Sequence, residues 1–263
     1  MDYECKKCIV CGSQEIKMQS RQEKDGNVFF SYNCKSCDCV FSSESAFKDK
    51  QECTLNKSNG EMSAKDIYKK NIGGIIEIVS SFDDNLSVGT GMVLESGYIL
   101  TNAHLIFENN IKDNSLINLS ESINGKTYEK KEMFGLELIY ADKENDIALL
   151  KTEKVLPHLK LSEKTPETGD KIIVIGNSKG EGISILEGII SDNKRIISGQ
   201  EFLLISAPVT NGNSGGPVFD VSGEVIGMVA KGRKDASAMN YAIPSAILLQ
   251  FLKTAKEKED IDI

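Results

Sequence analysis

Between residues 72 and 243 the chain is a series of short apolar runs separated by glycine- and asparagine-rich turns, and this pattern constrains the fold more than any other feature. The runs cover residues 75–80, 88–94, 98–101, 116–119, 136–140 and 147–150, and then 171–175, 183–190, 202–206, 217–219, 225–229 and 241–243. No long segment of helical periodicity lies between them. Many short strands without intervening helices predict an antiparallel β-barrel or β-sandwich.

A serine lies among three glycines in the segment Gly212-Asn213-Ser214-Gly215-Gly216. Glycines this dense let the backbone turn tightly and bring N–H groups against a ligand. A serine in such a turn can attack a carbonyl while the neighbouring N–H groups receive the negative charge that develops. The alternative is a glycine-rich hairpin loop in which the serine only caps a turn. The segment also fits G-x-S-x-G, which unrelated serine hydrolases share, so the interpretation depends on finding a base.

The chain has only two histidines, His104 and His158, and both precede Ser214. An α/β-hydrolase needs its histidine after the serine, so that class is excluded. His158 lies where alternate residues are apolar and is expected to point outward from the surface. His104 follows an apolar strand at a corner of small polar residues, and a strand end is a rigid mount for a catalytic base.

The third residue of such a site is a carboxylate that holds the imidazole in one tautomer. Asp146 opens an apolar strand, whereas Asp142 lies within a polar run that is typical of a solvated loop. We therefore expect Asp146 to be the partner of His104.

Three blocks resemble the catalytic blocks of trypsin-like serine peptidases, most closely those of the HtrA (Deg-type) branch: YILTNAH (98–104), NDIALLK (145–151) and GNSGGP (212–217). Residues 88–94, 186–191 and 240–244 match supporting blocks of the same family. The likeness covers roughly residues 67–256, and the order His, Asp, Ser is that of chymotrypsin-type enzymes. The resemblance implies a mostly β protein of two six-stranded antiparallel barrels, with His104 and Asp146 on the first barrel and Ser214 on the second.

The resemblance also implies a serine endopeptidase that acts on polypeptides through an acyl-enzyme. Ser214 would be the nucleophile, His104 the base and Asp146 the residue that orients it. The oxyanion hole would be formed by the backbone N–H groups of Gly212 and Ser214. Two alternatives stay open: a catalytically silent peptide-binding chaperone or scaffold with the same fold, and a nucleic-acid adaptor that acts through the N-terminal cysteine module.

The specificity pocket is expected between the strand that leads to the serine and the strand after the next turn. These positions are occupied by Pro208, Val209, Met228, Val229 and Ala230. Trypsin carries a carboxylate six residues before its serine, where this chain has proline, and no acid occurs between residues 202 and 219. A basic substrate side chain would lose hydration without gaining a partner, so we expect cleavage after small or medium aliphatic residues.

All seven cysteines precede residue 54. Cys8/Cys11 and Cys34/Cys37 form two C-x-x-C pairs, each suited to presenting two thiolates to one tetrahedral zinc. A structural zinc would replace the core that so short a module lacks, so these residues predict a zinc ribbon rather than a disulfide or redox site. Cys5 and Cys39 leave the ligand set open. No cofactor is expected for catalysis.

The resulting domain organisation is a zinc-ribbon-like module over residues 1–47, a linker over 48–64, the peptidase domain over 65–256 and a polar tail over 257–263. A helix is expected after Pro244, with Ser245 as its cap. The sequence stops where HtrA-type proteins usually continue into a PDZ domain. The family is often trimeric, so a homo-oligomer is compatible with the resemblance, although no independent trimerisation signal is present.

The net charge of −8 disfavours partners such as nucleic acid or an anionic membrane. No apolar run is long enough to span a bilayer, and the first residues are too polar for a secretory signal. The peptidase part carries no cysteine, whereas secreted trypsin-like domains usually carry disulfides. These features predict a cytoplasmic location, polypeptide substrates and a protein partner for the zinc ribbon.

Overall fold

The computed structural model of this chain describes residues 16–24, 27–34, 40–44, 53–54, 61–83, 85–109, 115–230 and 240–263. The chain divides into two compact units, Met1–Glu61 and Met62–Ile263. Among the described residues, no helix has the length and apolar character needed to cross a membrane.

The first unit contains a four-stranded antiparallel sheet. Its strands are β1 (Ile16–Lys24), β2 (Asn27–Cys34), β3 (Val40–Glu44) and β4 (Cys53–Thr54), and they are hydrogen-bonded in sequence order. Cys34, a predicted zinc ligand, is the last residue of β2. The other predicted ligands, Cys8, Cys11 and Cys37, lie outside the described residues, so the zinc site stays a prediction.

The second unit begins with helix α1 (Ala64–Asn71), for which Ser63 is the N-cap because its hydroxyl accepts from the N–H of Asp66. A seven-stranded antiparallel sheet follows. Its strands are β5 (Ile75–Phe82), β6 (Asn85–Val93), β7 (Tyr98–Thr101), β10 (Ser122–Thr127), β11 (Met133–Gly135), β12 (Glu137–Asp142) and β13 (Ile147–Lys151), in the order β11-β10-β5-β6-β7-β13-β12. A two-stranded sheet of β8 (Phe107–Asn109) and β9 (Leu116–Leu119) lies between β7 and β10 in the chain.

The remaining strands close into a six-stranded barrel. They are β14 (Lys171–Asn177), β15 (Ile183–Ile197), β16 (Gln200–Ile205), β17 (Pro217–Phe219), β18 (Val225–Val229) and β19 (Asn240–Pro244), in the order β14-β15-β16-β19-β18-β17. Helix α2 (Ser245–Glu259) follows. The predicted helix after Pro244 is confirmed, but the prediction of Ser245 as its cap is wrong, because Ser245 is the first helical residue and the N-cap is Pro244, with no side-chain cap hydrogen bond.

The predicted mostly β architecture with a C-terminal helix is confirmed, and it differs from the expected pair of six-stranded barrels in one respect. The first sheet has seven strands, and its terminal strands β11 and β12 are not hydrogen-bonded to each other in the described part of the chain. Strands β8, β10 and β11 are absent from the runs predicted from the sequence, and β10 contains an Asn124-Gly125 pair of a kind that is common in hairpin turns. Gly125 lies instead in the strand, where a Cβ would come within 2.7 Å of the Phe134 ring.

Three apolar clusters stabilise the second unit. One lies within the first sheet and includes Ile78, Ile99 and Leu150, and one lies within the barrel. The largest joins residues of both: Leu100 and Leu149 from the first sheet, Ile175 and Phe219 from the barrel, and Leu248 and Phe251 from α2. Each fully buried side chain of this kind contributes about 1.5–3 kcal/mol relative to exposure. The two β-structures therefore share this largest buried cluster, which is called the seam below.

Candidate active site

His104 and Asp146 form a close pair because the strands that carry them are neighbours. His104 lies in a single 3₁₀ turn directly after β7, and Asp146 directly precedes β13, which pairs antiparallel with β7. His104 Nδ1 is 2.7 Å from Asp146 Oδ2, and the backbone N–H of His104 donates to Asp146 Oδ1 at 2.8 Å. Asn102 adds a third bond, from its Nδ2 to the Asp146 carbonyl oxygen at 2.9 Å.

This pairing fixes the chemistry available to the imidazole. An ionised carboxylate only accepts hydrogen bonds, so Nδ1 carries the proton and Nε2 is left as the basic nitrogen. Asp146 adopts a left-handed backbone conformation, with φ of 57°, and its carboxylate contacts both the backbone N–H and the ring of His104. The His104 side chain is 17% exposed and the Asp146 side chain 27%. The pair is therefore sheltered and still open to a substrate.

The residues that the sequence analysis set aside have other surroundings. Asp142 accepts hydrogen bonds from the backbone N–H groups of Glu144 and Asn145, so it stabilises the turn before β13. His158 is exposed and lines a separate cavity beside Leu252 and Lys253 of α2.

Ser214 lies in a tight turn between β16 and β17. Three N–H groups of this turn are bonded to backbone carbonyls: Asn213 to Thr210 at 3.1 Å, Gly215 to Val229 at 3.0 Å and Gly216 to Asn213 at 2.9 Å. The N–H groups of Gly212 and Ser214 have no acceptor among the described residues. Two donors beside the serine are thus available to a ligand.

The serine turn is bonded to the first sheet through Thr90 of β6. The Thr90 N–H donates to the Ser214 carbonyl at 2.9 Å, and the Thr90 carbonyl accepts from the Thr101 hydroxyl at 2.8 Å. Thr101 ends β7, three residues before His104. Ser214 and His104 are therefore tied to the same pair of strands. No hydrogen bond links Ser214 Oγ to His104 within the described chain, and such bonds are often long before a substrate binds.

The five residues predicted to form the specificity pocket do not gather in one place. Pro208 is exposed. Val209 packs against the barrel cluster that contains Val229, whereas Met228 and Ala230 are buried in the seam cluster. Successive strand residues face opposite sides of a sheet, which accounts for this division. Residues 231–239, which follow Ala230, lie outside the described residues.

Two polar residues near the serine turn were not singled out from the sequence. Asn240 is buried and donates from Nδ2 to the Ala207 carbonyl at 2.7 Å, which joins β19 to the segment before the serine. Thr90 is fully buried. It lies between Gly89 and Gly91 in the supporting block 88–94, and nothing in that pattern shows which loop it contacts.

Residues 89–228 match the model of the trypsin-like peptidase domain, and the chain belongs to this family. It is 30% identical over 200 residues to the pro-apoptotic serine protease NMA111 of Coccidioides immitis, a match that covers 68% of this chain and 18% of that protein. It is 30% identical over 179 residues to a probable periplasmic serine endoprotease, DegP-like, of Ectopseudomonas mendocina, with 65% of this chain and 35% of that protein covered.

The fold is similar to that of solved HtrA-type proteases. The structure of the HtrA-type protease AlgW with a tripeptide superposes with a TM-score of 0.64 at 25% identity, and the match covers 73% of this chain and 63% of that one. The chain thus carries a trypsin-like serine protease domain with a chymotrypsin-like fold. It spans only about a fifth to a third of the length of the two curated relatives.

The serine turn should be intolerant of a side chain at Gly215. Gly215 has φ of +81°, and a Cβ there would overlap the Thr90 carbonyl and come within 2.5 Å of the Thr101 hydroxyl. Gly199 has a similar φ of +85°, with nothing within 4 Å of a Cβ. We expect Gly199→Ala to lower the free energy of unfolding by about 1 kcal/mol and Gly215→Ala by about 3 kcal/mol or more, as measured by urea denaturation. Equal losses in the two variants would contradict this account.

Proposed function

We propose that the chain is a serine endopeptidase in which Ser214, His104 and Asp146 form the catalytic triad. The observation that carries the proposal is the His104–Asp146 pair, with Nδ1 and Oδ2 2.7 Å apart. It is supported by the two N–H groups beside Ser214 that have no acceptor within the described chain. A base of fixed tautomer and paired N–H donors beside a serine are the parts that acyl transfer requires.

The proposed reaction has two stages. His104 Nε2 takes the proton of Ser214 as its oxygen attacks a peptide carbonyl, and the Gly212 and Ser214 N–H groups bond the resulting oxyanion. The imidazolium then gives its proton to the leaving amine, which departs and leaves an acyl-enzyme. Water, deprotonated by His104, releases the acyl group in the second stage. Asp146 stabilises the imidazolium in both stages and stays ionised.

The triad proposal predicts different effects on activity for substitutions at two neighbouring aspartates. Asp146→Asn should lower kcat by about 10⁴-fold, because an amide favours the wrong imidazole tautomer. Asp142→Asn is the matched control and should keep its activity, since the hydrogen bonds of the Asp142 carboxylate in the described part of the chain go to the turn residues Glu144 and Asn145. Peptide hydrolysis by the two purified variants measures the difference, and a similar rate in both would refute the role of Asp146.

Covalent labelling of the serine distinguishes a peptidase from a silent scaffold. A fluorophosphonate should label the wild-type chain at Ser214, and mass spectrometry of the labelled peptide locates the adduct. Ser214→Ala should lose both labelling and turnover while its thermal unfolding stays close to that of the wild type. A folded wild-type chain that is neither labelled nor active would favour the peptide-binding chaperone instead.

We extend the proposal to substrates with small or medium aliphatic side chains at P1. Val209 and Val229 lie in one apolar cluster near the serine turn, and the segment from 202 to 219 has no acid that could pair with a basic residue. In peptides that differ only at P1, valine, alanine or leucine should give the highest kcat/KM. The profile should be broad, because one methylene changes it by only about 10- to 200-fold. Dominant cleavage after lysine or arginine would contradict this pocket and leave the triad proposal intact.

We keep the zinc ribbon as a proposal for the first unit, with Cys8, Cys11, Cys34 and Cys37 as ligands. Metal analysis of the purified full chain should find one zinc per chain, released by Cys11→Ser or Cys37→Ser. Cys53→Ser is the matched control and should retain the metal. A chain purified without chelators and free of zinc would refute the site. A protein partner for this unit and a cytoplasmic location remain predictions.

A further inference from the structure

Thr90 makes three hydrogen bonds that join the first sheet to the serine turn and to the end of β14 in the barrel, and a fourth within the first sheet. Its hydroxyl donates to the Gly212 carbonyl at 2.8 Å and accepts from the Asn177 N–H at 2.9 Å. Its backbone N–H donates to the Ser214 carbonyl, and its carbonyl accepts from Thr101. The residue is fully buried, and its single hydroxyl hydrogen is committed to Gly212. None of the triad side chains takes part in these bonds, and Ser214 contributes only its backbone carbonyl.

The orientation of the two unpartnered N–H groups depends on the carbonyls that precede them. In a trans peptide the C=O and the following N–H point in opposite directions. The Asn211 carbonyl is held by the Lys179 N–H at 2.6 Å, which turns the Gly212 N–H to the other side. The Asn213 carbonyl is held by the Gly216 N–H at 2.9 Å, which does the same for the Ser214 N–H.

The carbonyl between these two, that of Gly212, is held by the Thr90 side chain. Gly212 has φ of +92° and no Cβ to limit rotation of its peptide planes. A rotated Gly212 carbonyl would also displace the Asn213 N–H from the Thr210 oxygen. The Thr90 hydroxyl therefore restrains the Gly212 peptide, which has the greatest conformational freedom in the turn.

The Thr90 hydroxyl also helps to position the Lys179 N–H that donates to the Asn211 carbonyl. Asn177, which donates to Thr90, ends β14 and directly precedes the turn Ser178–Gly180 that contains Lys179. The Asn177 side chain completes that turn by accepting from the Gly182 N–H at 2.8 Å. One hydroxyl thus holds the Gly212 carbonyl directly and positions the loop that holds the Asn211 carbonyl.

We infer that Thr90 is a positioning residue whose hydroxyl holds residues 211–213 so that the Gly212 and Ser214 N–H groups face the oxyanion of the proposed reaction. This inference rests on the proposed peptidase function. The oxyanion exists only once the serine has attacked, so loss of the hydroxyl should lower kcat while KM changes little.

Three substitutions separate the effect of the Thr90 hydroxyl on kcat from the effect of the rest of the side chain. Thr90→Val replaces it with a methyl group of similar size, and Thr90→Ser retains it. Thr90→Ala differs from Thr90→Ser by the hydroxyl alone. We expect kcat to fall about 10- to 100-fold in the valine and alanine variants, less than the loss of a whole oxyanion donor. The serine variant should stay within about 3-fold of the wild type, and KM should change by less than about 3-fold in all three.

A second readout separates positioning from stability. A peptidyl boronate forms a tetrahedral anion on the serine, so its affinity should fall in parallel with kcat across the three variants. Binding of an uncleaved peptide, measured in the Ser214→Ala background, should be unchanged by Thr90→Val. Thermal unfolding of each variant is recorded beside these values. Thr254→Val, on the exposed side of α2, controls for a threonine-to-valine change elsewhere.

The inference is overturned if Thr90→Val retains wild-type kcat and boronate affinity, or if the serine and alanine variants lose kcat equally. Should Thr90→Val fail to fold, the comparison of Thr90→Ser with Thr90→Ala decides the question. A wild-type chain that neither hydrolyses peptides nor reacts with the fluorophosphonate overturns the proposed function, and the inference with it. An active wild type with an unaffected Thr90→Val overturns the inference alone.

Discussion

The apolar seam between the seven-stranded sheet and the closed barrel is the interaction on which the rest of the second unit depends. Leu100 and Leu149 supply it from the sheet, Phe219 from the barrel and Phe251 from α2. The candidate base lies at the end of a strand on one side of this seam, and the candidate nucleophile lies in a turn on the other. Burial of the seam is non-directional, so it brings the halves together without fixing the orientation of any polar group.

Hydrogen bonds between polar groups orient the imidazole and the serine turn. The two bonds from His104 to the Asp146 carboxylate fix the imidazole, and the bonds from Thr90 fix the serine turn. Buried polar groups are costly unless they are paired, so these bonds restrict the arrangements that the imidazole and the turn can adopt. The glycines of the turn serve the same end, because they let its backbone approach Thr90 more closely than a residue with a Cβ would allow.

Local patterns in the sequence are sufficient to predict the class of fold and the candidate residues. Short apolar runs without helices predicted a β-protein. The scarcity of histidine left His104 as the one suitable base, and the position of Asp146 before an apolar strand favoured it over Asp142. These features are local: strand periodicity, chain order and residue type can all be read within a few residues of each site.

How the first sheet and the barrel meet depends on contacts between residues that are far apart in the chain. The seven-strand composition of the first sheet depends on Asn124-Gly125 lying within a strand, which becomes evident only from the pairing of Gly125 with Phe134 and Ile78 in the neighbouring strands. Strand alternation separates Val229 from Met228, but which cluster each of them joins depends on what packs against the two faces of the strand. Thr90 contacts Gly212, 122 residues along the chain. No local pattern encodes such a pairing, because it arises where a strand of one β-structure approaches a loop of the other, and packing of the whole unit fixes that approach.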